Sequence, residues 1–178
     1  MSVVYPELPD DLESTAVSSR RSEPEHLVDR LMQLRWTVGV AESLTGGLVV
    51  SSLVAVPGAS AVVRGGVVAY ATDVKHSLLG VDAALLDAHG PVHPLVAGEM
   101  AEGVRAALSR DGRRCDLGIA TTGIAGPDSP DGQPVGTVHV AVATALGTRV
   151  ETLGLAGPRE AIRAAAARAA IRLALDAL

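Results

Sequence analysis

The sequence predicts a single α/β domain in three layers, with helices on both faces of a mixed, mostly parallel sheet. Three observations carry that expectation. Short uncharged apolar runs alternate with longer amphipathic segments over most of the chain, the pattern of strands joined by crossover helices. The core has to be aliphatic, because 48% of the 178 residues are apolar yet there is one Trp, two Tyr and no Phe. A core of Val, Leu, Ile and Ala suits strands covered on both faces. The length fits one domain, and neither a repeat nor a linker divides it.

Residues 1–21 are rich in Pro, Ser, Asp and Glu without periodicity, and are expected to form a flexible tail ahead of a domain at 22–178. Ser22 with Glu25 three residues on is a capping box, Pro24 suits a first turn, and Leu27, Val28, Leu31 and Leu34 give the ensuing helix an apolar face. Residues 37–41 read as a short buried strand. Glu42-Ser43-Leu44-Thr45-Gly46-Gly47 leads from it into a helix carrying Val49, Val50, Leu53 and Val54, ended by Pro57-Gly58. Residues 62–71 read as a strand whose continuity Gly65-Gly66 puts in question. Asp73 is placed to cap a short helix that stops at Gly80, and Asp82 to cap another that ends at His89-Gly90. Val96, Met100, Val104 and Leu108, four apart, mark a longer helix. Strands at 117–122 and 137–144 flank a Gly- and Pro-rich loop, a last strand covers 148–155, and Gly157-Pro158 opens an Ala-rich helix to the chain end.

Composition narrows the function. The formal net charge is −5, and the only basic runs are the pairs Arg20-Arg21 and Arg113-Arg114. Without clustered cations or stacking aromatics, no nucleic-acid partner is expected. Cys115 is the single cysteine, which excludes an internal disulfide and a cysteine metal cage and leaves a packing role in a buried strand. His89 and His93 are separated by Gly90-Pro91, His26 and His76 read as surface residues, and His139 alternates within a strand, so no metal is expected. The first residues lack the order of a signal peptide, and no apolar run approaches a membrane span; a cytoplasmic location without a membrane partner is expected. Ser-x-x-Lys fails at Gly46, Gly-x-Ser-x-Gly fails at Ala41, and neither a Walker A loop nor a strand-borne GxGxxG occurs, so no nucleotide cofactor is expected.

Chemistry concentrates at strand ends. Ser43 leaves a buried strand ahead of two glycines that open a helix, where unpaired amides can hold a phosphate or an oxyanion; the competing reading is that Ser43 or Thr45 caps the helix. Lys75, in the first turn of a helix after a different strand, is a cation opposed by the helix dipole and so a candidate base; the competing reading is a solvated lysine. Tyr70 closes that strand, either to orient Lys75 or Ser43 or to pack an edge of the core. Thr121-Thr122-Gly123-Ile124-Ala125-Gly126-Pro127 turns through small residues that let a base or sugar approach, or is a surface loop. Pro158 at a first helical position puts Arg159 and Arg163 in the opening turns of the last helix, electrostatically misplaced unless an anion sits there or Glu160 pairs with them.

Together, Ala41-Glu42-Ser43-Leu44-Thr45-Gly46-Gly47, Tyr70 with Lys75, Gly123-Ile124-Ala125-Gly126-Pro127, Pro134-Val135-Gly136-Thr137-Val138 and Gly157-x-Arg159 resemble the CinA C-terminal domain family, in order from about Pro24 onward. Its enzymes are nicotinamide-nucleotide amidohydrolases, or NMN deamidases. The resemblance implies a metal-free α/β/α domain, usually a homodimer, that hydrolyses the carboxamide of nicotinamide mononucleotide by a Ser–Lys mechanism. It implies Ser43 as nucleophile, Lys75 as base and Tyr70 in support. It also implies Thr45, Gly46 and Gly47 as the glycine-rich turn with oxyanion donors near Gly46, Thr122, Gly123, Ile124, Ala125 and Gly126 as the nucleotide loop, and Arg159 as the phosphate arginine. Pro158, where the family is often acidic, and His93, in place of a small capping residue, depart from its pattern. No counterpart of the N-terminal domain of many relatives is read here. The alternatives are a non-catalytic nucleotide- or protein-binding module related to competence and DNA damage, and an amidase for another carboxamide.

Overall fold

The computed structural model describes residues 21–129 and 132–178. The expected tail lies, but for Arg21, outside the described residues. Helix α1 spans Glu23–Leu34 and opens on the capping box: Ser22 is the N-cap and accepts from the Glu25 amide, and Glu25 Oε2 accepts from the Ser22 amide at 2.6 Å. Leu27, Val28 and Leu31 are fully buried, each contributing about 2 kcal/mol over exposure. Leu34 is partly exposed.

Five strands follow the order β2-β1-β3-β4-β5: β1 Val38–Glu42, β2 Val63–Val68, β3 Leu117–Gly123, β4 Thr137–Thr144 and β5 Gly147–Gly154. β1 pairs in parallel with β2 and β3, while β4 pairs antiparallel with both β3 and β5. Four strands therefore point the same way, although the pairings divide evenly. Gly65-Gly66 does not break β2; the register shifts instead between Val38 and Gly39. Helices α1, α2 (Leu48–Val54) and α6 (Arg159–Leu175) cover one face, where Leu53, Ile119, Val140 and Ile162 share a core. Helices α3 (Thr72–Leu79), α4 (Ala83–His89) and α5 (Pro94–Ala107) cover the other, where Ala97, Met100, Val104 and Ala120 meet. A Cβ at Gly118 would lie 2.0 Å from the Ala101 carbonyl, so glycine in β3 lets α5 come down onto the sheet.

Three local expectations change. Asp73 is in the first turn of α3, and Ala71 is the N-cap. Lys75 is therefore the fourth residue of α3, past its first turn. Pro158 is the N-cap of α6 and Arg159 its first residue. Proline fits both positions because neither needs its missing N–H.

Candidate active site

The parallel registers bring the site together. Glu42 at the end of β1 stands level with Val68 of β2 and Thr121 of β3. One residue further, Ser43, Ala69 and Thr122 lie side by side at the carboxyl ends of three adjacent strands, where open α/β sheets gather ligands. Beyond Ala69 the chain enters α3, whose Lys75 side chain turns back into this row. Lys75 is 1% exposed, and its Nζ donates to the Ala69 carbonyl at 2.7 Å and to Ser43 Oγ at 3.1 Å. Burial pulls the amine from 10.5 to about 8. Desolvation is what disfavours its charge.

Ser43, Lys75, Tyr70, Thr122, Gly123, Ile124, Ala125, Gly126 and Arg159 line one cavity of about 210 Å³. Thr122 is buried and donates through Oγ1 to the Pro91 carbonyl at 2.7 Å, which ties the end of β3 to the segment entering α5. A Cβ at Gly123 would meet the Thr137 carbonyl at 2.7 Å. Arg159 Nη1 donates to the Gly126 carbonyl at 2.6 Å and Nη2 to the Tyr70 hydroxyl at 3.3 Å. Tyr70 lies two residues beyond β2, is 64% exposed, shares the cavity lining with Ser43 and Lys75, and accepts from Arg159 through its hydroxyl.

The turn after β1 is held together largely by its own hydrogen bonds. Gly46 and Gly47 have φ of 59° and 101°, a left-handed pair that serves the turn. Their amides are occupied: Gly46 donates to the Ser43 carbonyl at 3.1 Å and Gly47 to Glu42 Oε2 at 2.9 Å. Thr45 is fully buried, with its Oγ1 2.7 Å from that of Thr121. Arg163 is occupied as well, its Nε donating to the Leu44 carbonyl and its Nη2 to that of Thr45, both at 2.8 Å. These four residues shape the Ser43 turn from behind; none lines the cavity. Neither Ser43 nor Thr45 caps α2.

Gly47 is the N-cap of α2, and Glu42, which sequence reasoning passed over, supplies the side chain that satisfies the opening amides. Glu42 is fully buried, and its carboxylate accepts from the amides of Gly47, Val49 and Val50 at 2.9, 3.1 and 2.9 Å. These charge-assisted bonds hold the opening of α2 and with it the segment bearing Ser43. A glutamate ending the apolar run Val38-Gly39-Val40-Ala41 and preceding a helix start was the available signal. With those acceptors in place, the amides of Gly46 and Gly47 are not free to hold an oxyanion. The amides of Leu44, Ala125 and Gly126, all on the cavity wall, have no protein acceptor among the described residues. Asp128 also lines the cavity and was not foreseen.

The histidines lie elsewhere. His89 and His93 stack with ring centroids 4.4 Å apart, and His93 caps α5 by accepting from the Leu95 amide. His139 is buried against Thr152, and burial holds its imidazole below the usual range. Cys115 is buried two residues ahead of β3, its Sγ donating to the Leu108 carbonyl. Among the described residues no three His, Cys, Asp or Glu side chains converge as metal ligands, and no helix is long and apolar enough to cross a membrane.

Comparison with known proteins agrees with this architecture. The family model of the CinA C-terminal domain matches residues 21–178. A CinA-like protein of Frankia casuarinae is 48% identical over 143 residues, 80% of this chain and 32% of its own length. The chain spans about a third of the length of the relatives it matches. A CinA superfamily protein from Klebsiella pneumoniae superposes with a TM-score of 0.81 at 29% identity, over 86% of this chain and 94% of that one. The competence/damage inducible protein CihA from Agrobacterium tumefaciens gives 0.76 at 34%, over 90% and 99%.

Proposed function

We propose that this chain, which belongs to the CinA C-terminal domain family, is an amidohydrolase that converts the carboxamide of nicotinamide mononucleotide to the carboxylate, releasing ammonia. The observation that carries the reading is the 3.1 Å contact of Lys75 Nζ with Ser43 Oγ in a cavity that Arg159 also lines. With the amine at about 8, roughly a tenth of the molecules hold it neutral at pH 7. A neutral Lys75 keeps one N–H on the Ala69 carbonyl and turns its lone pair to the Ser43 hydroxyl.

Lys75 then takes the hydroxyl proton as Oγ attacks the carboxamide carbon. The oxygen that gains charge is met by the free amides of the wall, Leu44 or Ala125, in place of those of the glycine pair. The carbon–nitrogen bond breaks, the Lys75 ammonium returns the proton to the departing nitrogen, and ammonia leaves an ester on Ser43. Water attacks that ester, Lys75 accepting its proton and passing it back to Oγ, and nicotinic acid mononucleotide departs. Arg159, at the mouth and at the opening of α6, faces the phosphate and takes no part in bond breaking. The reading carries with it a cytoplasmic homodimer that works on a small mononucleotide without metal or cofactor.

Ammonia release from nicotinamide mononucleotide, measured for the parent and for Ser43→Ala, is the test. Release by the parent and its loss in the variant are expected. No release from the parent, with metal chelated or added, rejects the activity and favours a binding module. Equal release from the phosphate-free riboside points instead to an amidase of other carboxamides.

A further inference from the structure

At the opposite pole of the sheet, beside the amino ends of β1 and β3, lies a second concavity of about 340 Å³. Five arginines line it: Arg35 from the C-cap of α1, Arg64 from β2, and Arg110, Arg113 and Arg114 from the connection between α5 and β3. The two carboxylates present are Asp111 and Asp116, so five positive charges less two leave three, in a chain whose formal charge is −5. Asp116 is committed elsewhere, accepting from the Thr37 amide and hydroxyl at 2.8 and 2.9 Å, and Asp111 reaches only Arg110, at 3.4 Å. Among the described residues, the guanidiniums of Arg35, Arg64, Arg113 and Arg114 form no ion pair.

The cluster is built. Arg110 and Arg113 exchange both backbone hydrogen bonds, each 2.9 Å, around a two-residue turn in which Asp111 and Gly112 have φ of 52° and 74°. That Asp-Gly turn puts its flanking residues directly opposite one another, with side chains to the same side. Like charges in such a pair repel and are destabilising, unless an anion lies between them. Arg64 and Arg35 approach from separate segments to complete the ring.

We propose that this concavity binds a small polyphosphate anion, a compound bearing a diphosphate or triphosphate chain. Guanidinium forks pair with phosphate oxygens two at a time, and three excess positive charges match such a chain. No aromatic ring lines the concavity, so the phosphates are what is recognised and not a base.

Inorganic triphosphate is the probe, titrated calorimetrically into the full chain, with the thermal midpoint read in parallel. One equivalent per chain is expected, at least about tenfold tighter than orthophosphate and weakening as salt is raised. Arg64→Ser/Arg113→Ser is expected to weaken it at least about tenfold. Both side chains are exposed, so the unliganded thermal midpoint of this variant should equal the parent's or rise slightly as the Arg110–Arg113 repulsion is relieved, and Arg159→Ser should bind as the parent does. No saturable binding, equal binding by the double variant, or loss of binding in Arg159→Ser would each overturn the proposal, the last by placing the anion in the Ser43 cavity.

Discussion

Replacing Lys75 with Met retains an unbranched side chain and removes a buried ammonium. The parent amine is at about 8 in the fold against 10.5 in an exposed chain. A difference of about 2.5 in pKa corresponds to about 3 kcal/mol of folding free energy wherever both forms are protonated. The sign follows from proton counting. Between pH 8 and 10.5 the unfolded chain holds a proton that the folded one has given up, so stability rises with pH across that window. Below pH 8 the full cost of the buried charge is present. Met carries no such cost at any pH, but it leaves the Ala69 carbonyl and Ser43 hydroxyl without the amine, a loss of about 1–3 kcal/mol. The sign of the difference at pH 7 is therefore set by two opposing terms, while its pH dependence is set by one. Relative to the parent, Lys75→Met should lose about 2.5 kcal/mol between pH 7 and pH 10. Urea unfolding of both proteins at three pH values measures this, because groups common to both cancel in the difference. A parent–variant difference constant across that range to within about 0.5 kcal/mol would refute the desolvated lysine.

Three further outcomes follow from the same site. The kcat/KM of the parent for nicotinamide mononucleotide should rise about tenfold per pH unit to about 8 and then level, because only neutral Lys75 accepts a proton; a flat profile from pH 6 to 9 would contradict that role. Arg159→Ala should raise KM about tenfold to a hundredfold and leave kcat within about threefold, as loss of a phosphate contact does, and steady-state kinetics showing the reverse would move Arg159 into the chemistry. Glu42→Gln places an NH₂ group against amides that need an acceptor, so urea unfolding should show a loss of about 2–3 kcal/mol, with turnover falling as the Ser43 turn loosens. Unchanged stability would mean that α2 does not depend on this carboxylate.

What was legible in the sequence was what short-range chemistry decides. The Ser22–Glu25 box, the Asp82 cap and the stops at Gly80 and Gly90 came through because a cap needs only its near neighbours. The buried four-residue spacing along α5 came through for the same reason. The meeting of Ser43 and Lys75, 32 positions apart, depends on the parallel register of β1 and β2, which no local pattern encodes. Family resemblance brought those residues together before any geometry was available. Resemblance could not show what these groups bond to in the fold: the Tyr70 hydroxyl meets Arg159, and the amides of the glycine pair go to Glu42 and to the turn itself. The arginine ring was invisible because its members are scattered from 35 to 114, and only folding collects them.

Acid-quenched intact-mass spectrometry of the protein mixed with nicotinamide mononucleotide tests the nucleophile most directly. An adduct equal to the substrate less ammonia, mapping to the peptide that contains Ser43 and absent from Ser43→Ala, is the expected result. Carboxamide turnover with no such adduct at any quench time, or an adduct that persists in Ser43→Ala, would contradict covalent catalysis by this serine.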